Sequence, residues 1–237
     1  MTQAESPAIS VIIPALNESE ALPKLLADLA RLELPAVEII VADGGSNDGT
    51  ADVVVTHGAL LVRTARGRGH QLRAAALVAH SNLLCFLHAD VRLEAPALRA
   101  LEQLATQGQA SPAAYAFRLR IHGTGISFRV VERLANLRSR LFALPYGDQG
   151  LIITRQCYDD AGGFADVPLM EDVMFVRALH KRRVPIVMRP ESITVSARRW
   201  ERDGVWRRSV RNLWLLARWA LGATPEHLAN SYERGND

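Results

Sequence analysis

The segment His88-Ala89-Asp90 contains two side chains that could bind a divalent cation. It directly follows the apolar run Leu83–Leu87, which predicts a buried strand, and residues two apart at the end of a strand face the same side. A carboxylate acting together with phosphate oxygens and waters is the usual protein ligand of Mg²⁺ or Mn²⁺. Asp90 is therefore the candidate metal ligand. The structural alternatives are a turn-forming Asp90 and a hydrogen-bonded structural His88.

The segment Arg66-Gly67-Arg68-Gly69 precedes a predicted helix that begins near His70. Backbone N–H groups at a helix N-terminus favour anions, and guanidinium groups add fixed positive charge. The segment therefore predicts a phosphate-binding turn with Arg68 at the ligand. Its spacing matches neither a P-loop nor a GxGxxG fingerprint. A solvated basic loop is the structural alternative.

Glu171 and Asp172 begin another predicted helix, because Val173, Val176 and Leu179 follow them at helical spacing. A carboxylate here could accept the proton of an attacking hydroxyl group, and Asp172 is the candidate general base. Acidic residues are also common in the first turn of a helix, where they complement the helix dipole. Only geometry can decide between these two roles.

Two further segments carry groups suited to a sugar or a diphosphate. Asp148 and Gln149 lie between glycines just before a short predicted strand, and exposed side chains of these types can recognise sugar hydroxyls. Arg199 and Trp200 place a cation beside an aromatic platform, which suits a diphosphate and a sugar ring. A plain turn and a surface cation–π pair are the respective structural alternatives.

These candidate residues follow strands that the hydrophobic pattern predicts. Each of four apolar runs is followed by a helical or loop segment; the runs are Ile9–Ile13, Val37–Ala42, Leu60–Arg63 and Leu83–Leu87. The repeated strand–helix order predicts an α/β fold with a mostly parallel central sheet and helices on both faces. In such sheets ligands bind beyond the carboxyl ends of the strands, so the candidate residues should meet at one edge.

The pattern changes beyond residue 100. Alternation over Tyr115–Ile121 predicts a half-buried, antiparallel strand, and a short strand is predicted at Gly150–Ile153. Helices are predicted over Ile126–Phe142 and Glu171–Lys181. We interpret the 237 residues as one domain. Its parts are a Rossmann-like nucleotide-binding half at about 8–110, an acceptor half at about 111–200, and amphipathic C-terminal helices at about 201–237.

Composition limits the class of protein. A hydrophobic fraction of 49% suffices for a large core and excludes a disordered chain. No secretory signal opens the chain, no apolar run reaches 18 residues, and Cys85 lies in an apolar run, so a cytoplasmic protein is expected. Residues 177–218 contain twelve Lys or Arg and three acidic residues. This imbalance predicts an anionic partner, namely a phosphate, an acidic lipid surface or nucleic acid, or else a solvated basic face.

The C-terminal segment 204–222 predicts an amphipathic helix with an apolar stripe that should dock on the domain. That stripe consists of Trp206, Val210, Leu213, Trp214, Ala217 and Leu221. A basic stripe beside it consists of Arg207, Arg211 and Arg218. Leu215 and Trp219 lie away from the apolar stripe and are expected to be exposed. Peripheral contact of residues 204–222 with an anionic membrane is one interpretation, and a docked helix in a homo-oligomer is the other.

Four segments together resemble the family 2 glycosyltransferases of the GT-A fold, over roughly residues 8–200. They are Ser10–Glu18, Asp43–Thr50, Phe86–Asp90, and Gly162–Phe164 followed by Glu171-Asp172. The resemblance implies that seven residues bind the nucleotide sugar. They are Pro14, Ala15, Asn17, Glu18, Asp43, Arg68 and His88.

The same resemblance implies roles for the candidate carboxylates. Asp90 corresponds to the last Asp of the family's Asp-x-Asp metal motif, with His88 in place of the first, and Asp172 corresponds to the catalytic base. Arg199-Trp200 resembles part of the Gln-x-x-Arg-Trp motif of processive members, but Ser196 replaces its Gln, so a polymerising synthase is not expected. The motif combination also resembles a small bacterial branch with members labelled arsenosugar-biosynthesis glycosyltransferases.

The hypothesis from the sequence is an inverting, metal-assisted transfer from a nucleotide-diphosphate sugar to an unidentified hydroxyl acceptor. Candidate contacts to the acceptor or diphosphate are Asp148, Gln149, Glu171, Arg199 and Trp200. One alternative is a catalytically weak or inactive protein that binds nucleotide sugars or a membrane surface. Another is a sugar nucleotidyltransferase, which would carry a glycine-rich basic loop where this chain has Pro14–Glu18. Nucleic-acid binding is not predicted, because no recognition motif is present.

Overall fold

The computed structural model describes residues 7–107 and 113–233. Its strands are β1 (Ile9–Ala15), β2 (Val37–Asp43), β3 (Leu60–Arg63), β4 (Leu83–Phe86), β5 (Val91–Arg92), β6 (Ala114–His122), β7 (Leu151–Thr154) and β8 (Ile186–Ser196). Its helices are α1 (Leu22–Leu29), α2 (Thr50–Thr56), α3 (Arg68–Val78), α4 (Ala95–Gln107), α5 (Ile126–Phe142), α6 (Arg155–Asp160), α7 (Glu171–Lys181), α8 (Arg198–Asp203), α9 (Val205–Ala220) and α10 (Pro225–Glu233). A 3₁₀ turn covers Gly147–Gln149. The predicted helices over Ile126–Phe142 and Glu171–Lys181 are confirmed as α5 and α7.

The strands form one sheet in the order β3-β2-β1-β4-β7-β6-β8-β5. Strands β1 to β4 are mutually parallel, as the four apolar runs predict. Strand β7 is antiparallel to both β4 and β6, whereas β6 and β8 are parallel and β5 is antiparallel to β8. The predicted antiparallel strand over Tyr115–Ile121 is therefore antiparallel to one neighbour and parallel to the other. The mostly parallel sheet is confirmed.

The two faces of the sheet carry separate hydrophobic cores. Along β1, Ile9, Val11 and Ile13 point to one face and Ile12 to the other, as the alternation of side chains in a strand requires. The first core packs against α1, α2, α4 and α5, and the second packs against α3, α6 and α7. Helices on both faces are therefore confirmed. Fully burying one such aliphatic side chain stabilises the fold by roughly 1.5–3 kcal/mol.

Helix α9 disagrees with the orientation predicted for it. The predicted docking stripe faces outward, since Trp206, Leu213 and Trp214 are 57%, 66% and 50% exposed. Leu215, expected to be exposed, is buried in a third apolar cluster with Met170 and the α10 residue Leu228, and Trp219 is partly buried against the same cluster. The hydrophobic period identifies a stripe on a helix but not the side of the helix that the domain covers. Within residues 7–107 and 113–233, no helix combines the length and apolar character of a membrane-crossing segment.

Candidate active site

The polar residues predicted to converge do so at one edge of the sheet. The carboxyl ends of β1, β4 and β8 lie there, followed by the segments that carry Glu18, His88 and Arg199. Strand β7 runs the other way, with Leu151 at its start opposite Phe86 at the end of β4. The turn that carries Asp148 therefore lies at this edge as well. Because β7 is antiparallel to β4, the turn that precedes β7 lies beside the segments that follow β1, β4 and β8.

A cavity of about 300 Å³ opens at this edge, and we call it the basic cavity. The predicted site residues that line it are Pro14, Ala15, Glu18, Arg68, His88 and Arg199. Arg66 also lines it, so three arginines contribute to the lining of this cavity. Guanidinium groups pair readily with phosphate oxygens, so this cavity suits an anionic ligand such as a diphosphate.

A second cavity of about 110 Å³ adjoins the first, and we call it the acidic cavity. Three carboxylates line it: Asp90, Asp148 and Asp172. Arg68, His88 and Arg199 line both cavities, and they form the boundary between them. An anion in the basic cavity would therefore lie beside a carboxylate-lined space.

Glu18 positions the arginines of this boundary. Its side chain is buried, its Oε1 accepts from Arg199 at 2.7 Å, and its Oε2 accepts from Arg198 at 2.8 Å. Arg199 Nε also lies 4.0 Å from Asp90 Oδ2. These two ion pairs hold the guanidinium groups in place, and the contact of Glu18 with a nucleotide stays a prediction.

The side chains of Asn17 and Asp43 brace the loops instead of lining the two cavities. Asn17 adopts a left-handed backbone with φ of 54°, and its Oδ1 accepts from the Asn47 backbone N–H at 3.0 Å. Its own N–H donates to Ser46 Oγ at 2.9 Å. Asp43 Oδ1 accepts from the Ser46 backbone N–H at 3.0 Å, while its buried Oδ2 has no hydrogen-bond partner among the described residues. A buried polar atom without a partner is uncommon in a folded protein.

Gln71 is a site residue that the sequence does not reveal. Its buried side chain donates from Nε2 to the carbonyl oxygens of Ala15 at 2.7 Å and Ala42 at 2.8 Å. These bonds join the ends of β1 and β2 under the basic cavity, where Gln71 itself forms part of the wall. A glutamine within a helix has no pattern that distinguishes this role from an exposed one.

The predicted phosphate-binding turn before α3 is only partly right. Arg68 reaches the cavity, but the Gly69 N–H donates to the Val167 carbonyl oxygen at 3.1 Å and so cannot bind an anion. A Cβ on Gly69 would lie 2.3 Å from the same oxygen. Glycine is therefore required here by the close approach of the 165–168 loop and not by a ligand.

Glu171 lies behind the boundary as a buried carboxyl group. Its Oε1 is 3.0 Å from Arg68 Nε, and its Oε2 has no hydrogen-bond partner among residues 7–107 and 113–233. Burial raises the pKa of Glu171 to about 7, against the opposing charge of Arg68. Glu171 thus positions Arg68 and holds a carboxyl group whose proton is labile near neutral pH.

Asp172 reaches the acidic cavity from the first turn of α7. Its Oδ2 accepts from the Gly147 N–H at 3.0 Å, and its Oδ1 accepts from the Val173 N–H at 2.8 Å. The helix is preceded by Met170, a buried residue in the left-handed region with φ of 68°. Such a backbone is uncommon for a residue other than glycine, and it sets the direction in which this first turn leaves the loop.

His88 and Asp148 are ionisable groups of the acidic cavity with shifted pKa values. Burial, followed by the charge of Arg68, lowers the pKa of His88 to about 4, so the ring is neutral at pH 7. Burial raises the pKa of Asp148 to about 6, and its Oδ1 has no hydrogen-bond partner in the described part of the chain. Perturbed carboxyl groups and imidazoles of this kind are concentrated at functional sites.

The prediction that Gln149 is exposed is wrong. Its side chain is fully buried, its Oε1 accepts from Ser139 Oγ, and its Nε2 donates to the Phe117 carbonyl oxygen at 3.1 Å. Both ends of the amide are thus used to fix the turn against β6 and α5. Trp200 does line the acidic cavity, with the Arg208 guanidinium 5.5 Å from its ring centre.

The fold is of the GT-A type, an α/β fold, as the resemblance to solved structures shows. The solved structures that resemble the chain are of this type. A mannosyltransferase from Pyrobaculum calidifontis in complex with GDP-Man and Mn²⁺ superposes with a TM-score of 0.65 at 21% identity, covering 97% of this chain and 70% of that one. Glucosyl-3-phosphoglycerate synthase from Mycobacterium tuberculosis, in complex with Mn²⁺, UDP and glucosyl-3-phosphoglycerate, superposes with a TM-score of 0.56 at 18% identity, covering 79% and 70%.

The chain belongs to glycosyl transferase family 2, whose model matches residues 10–164. It is 39% identical over 94 residues to 4,4'-diaponeurosporenoate glycosyltransferase of Staphylococcus haemolyticus, a match that covers 36% of this chain and 25% of the relative. It is 33% identical over 148 residues to dolichyl-phosphate beta-glucosyltransferase of Drosophila melanogaster, covering 53% and 45%. The chain therefore matches less than half the length of these relatives. The family match also ends before Asp172 and Arg199.

Proposed function

We propose that this protein transfers a sugar from a nucleotide-diphosphate sugar to a hydroxyl acceptor. The observation that carries the proposal is the shared boundary of Arg68, His88 and Arg199 between the basic cavity and the carboxylate-lined acidic cavity. A diphosphate beside Arg68 and Arg199 would direct the attached sugar towards that boundary. Relatives named glycosyltransferases and structural neighbours bound to GDP-Man or UDP support the same class of reaction.

In the proposed step, the acceptor oxygen forms a bond to the anomeric carbon as its proton passes to an Asp172 carboxylate oxygen. The bond from that carbon to the diphosphate oxygen breaks, and its electron pair leaves with the nucleoside diphosphate. Attack from the face opposite the leaving group inverts the anomeric centre. Arg68 and Arg199 offset the charge that develops on the diphosphate. A positioned general base typically contributes about 10²–10⁴-fold in rate.

The donor set around Asp90 fits a divalent cation held partly by the ligand. No group of three or more His, Cys, Asp or Glu side chains in the described part of the chain is arranged to hold a metal, so an all-protein cage is not present there. Asp90 lines the acidic cavity, and its Oδ2 lies 4.0 Å from Nε of the boundary residue Arg199. Mg²⁺ and Mn²⁺ are commonly bound by one or two carboxylates plus substrate phosphates and waters. Such an ion, when bound, would neutralise charge on the departing diphosphate.

Calorimetric titration with UDP, GDP and ADP, each with Mn²⁺ and then with a chelator, tests this proposal. We expect one nucleoside diphosphate to bind more tightly with the metal, and Asp90→Asn to lose that enhancement. Asp159→Asn, at an exposed carboxylate on α6, is the matched control. Absence of binding by every nucleoside diphosphate would overturn the proposal. Metal-independent binding would overturn the role of Asp90 alone.

A second assay separates the remaining alternatives. The proposed enzyme releases a nucleoside diphosphate from a sugar donor, whereas a nucleotidyltransferase consumes a nucleoside triphosphate and releases pyrophosphate. An inactive binding protein would bind the donor and release neither product. Location in the cytoplasm, the division of the domain near residues 110 and 200, and the arsenosugar label remain predictions from the sequence.

A further inference from the structure

Helices α5 and α9 lie in contact and both turn an apolar stripe towards solvent. These side chains are each 50–89% exposed. They are Ile126, Leu134, Leu137, Leu141 and Phe142 on α5, and Trp206, Val210, Leu213, Trp214 and Leu221 on and just after α9. We call this surface the α5–α9 face. Ten large, exposed apolar side chains on two helices in contact are more than the scattered single residues normal for a surface, and such a grouping marks an interaction site.

The inner side of α9 carries arginines as well as the apolar Leu215 and Trp219, whereas its outer side is mostly apolar. Arg208 is only 8% exposed and donates to Asp203 at 2.8 Å, and Arg211 lies 3.3 Å from the same carboxylate. A helix at a water-facing surface normally has the opposite arrangement, with its apolar stripe on the domain and its charges in solvent. The orientation of α9 therefore indicates an apolar partner on its outer side.

The charge on the α5–α9 face is of one sign. Apart from the apolar side chains, the exposed residues of the two helices are Arg133, Arg140, Arg207 and Asn212. Glu132 is the only acidic residue in either helix, and it is buried. The face thus carries cations among apolar side chains with no exposed carboxylate.

A groove beside this face carries more positive charge. It measures about 490 Å³ and is lined by Arg118 of β6, Arg133 and Arg140 of α5, and Arg189 of β8. Leu137 of the apolar stripe also lines it, so the groove and the stripe are continuous. Arg189 pairs with Glu191 at 3.0 Å, whereas no residue in the described ranges forms an ion pair with Arg118, Arg133 or Arg140.

A second copy of the chain matches this face poorly. In a symmetric dimer each surface patch meets the same patch of its partner. Two patches of positive charge would then face each other with no exposed carboxylate on α5 or α9 to compensate, and like charges in an interface are unfavourable. A bilayer that contains anionic lipids supplies both an apolar layer and negative phosphates.

We propose that the α5–α9 face binds an anionic phospholipid bilayer. Trp206, Leu213 and Trp214 would enter the boundary between headgroups and acyl chains, and the arginine groove would contact lipid phosphates. Helix α9 contributes the buried Arg208 and the exposed Asn212 to the acidic cavity, so docking places that cavity next to the lipid surface. The inference does not depend on the catalytic role of Asp172.

Co-sedimentation with vesicles tests the proposal on the full chain. We expect binding to phosphatidylcholine vesicles that contain about 30% phosphatidylglycerol, and at least tenfold weaker binding to phosphatidylcholine alone. Arg133→Gln with Arg140→Gln should lower the partition coefficient about thirtyfold, because each cation near such a surface contributes about fivefold. Leu213→Glu should abolish binding, and the tryptophan emission of the wild type should shift to shorter wavelength on vesicles.

Matched controls lie on the opposite side of the sheet, where α3 and α7 pack. Leu77→Glu changes an exposed leucine of α3, and Lys181→Gln with Arg182→Gln removes two exposed cations near the end of α7. Both controls should bind vesicles like the wild type. Equal losses in the controls, or no binding by the wild type, would overturn the proposal. A stable dimer that Leu213→Glu dissociates, without vesicle binding, would assign the face to a second copy.

Discussion

Replacing Asp172 by Asn removes a negative charge from the acidic cavity while nearly conserving the shape of the side chain. The two carboxylate oxygens accept from the Gly147 and Val173 N–H groups at 3.0 Å and 2.8 Å. An amide can accept only one of these bonds and would turn its NH₂ group towards the other donor. Loss of one hydrogen bond to a charged group costs about 1.5–3 kcal/mol, so a modest fall in stability is expected.

The effect on turnover should be larger and of different origin. An amide cannot accept the acceptor's proton, so the rate should fall by about 10²–10⁴-fold, which corresponds to roughly 3–5 kcal/mol in the activation barrier. Affinity for the nucleoside diphosphate should stay within about twofold, because Asp172 lines the acidic cavity and is absent from the wall of the basic one.

Slow hydrolysis of the sugar donor, with water as acceptor, allows turnover to be measured before the natural acceptor is known. Calorimetry gives the affinity for the diphosphate, and urea denaturation gives the stability of the same preparation. Asp160→Asn, an exposed carboxylate at the end of α6, is the control and should change none of the three. Wild-type turnover in Asp172→Asn would refute the general-base assignment and direct attention to Asp148, which shares the cavity.

Three further outcomes are expected. Gly69→Ala would place its Cβ 2.3 Å from the Val167 carbonyl oxygen, so urea denaturation should show a loss of about 1–3 kcal/mol; unchanged stability would mean that the loop yields freely. Burial raises the pKa of Glu171 from 4.5 to about 7, so the folded state binds this proton more tightly than the unfolded state does. The protonated Glu171 contributes to the free energy of unfolding below pH 4.5, and this contribution, about 3 kcal/mol at most, is lost as the pH rises to about 7. The stability of Glu171→Gln, measured against pH, should lack this loss. Gln149→Ala leaves the Phe117 carbonyl oxygen without its donor in a buried site and should cost about 1–3 kcal/mol of unfolding free energy, whereas an effect on turnover alone would restore a ligand-binding role.

Much of the architecture could be predicted because it depends on local patterns. The apolar runs at Ile9–Ile13 and Val37–Ala42 are buried strands, and the helices over Ile126–Phe142 and Glu171–Lys181 have the predicted bounds. Residues that directly follow parallel strands lie at the same edge of the sheet. For this reason Asp90, after β4, lies beside Arg199, after β8. Cys85 is also buried in β4, as its apolar surroundings predict.

The sequence by itself therefore determined the elements, the layered α/β class and the edge of the sheet at which the polar residues meet. Only the tertiary structure decided the partners of those residues. Glu18 pairs with Arg198 across 180 residues, Gln149 is buried in a turn, and α9 faces the domain with the side opposite to the one predicted. The physical reason is the same in each case. Periodicity and residue type report how a segment is divided into faces, whereas burial and ion pairing depend on the neighbour that the complete fold brings to each face.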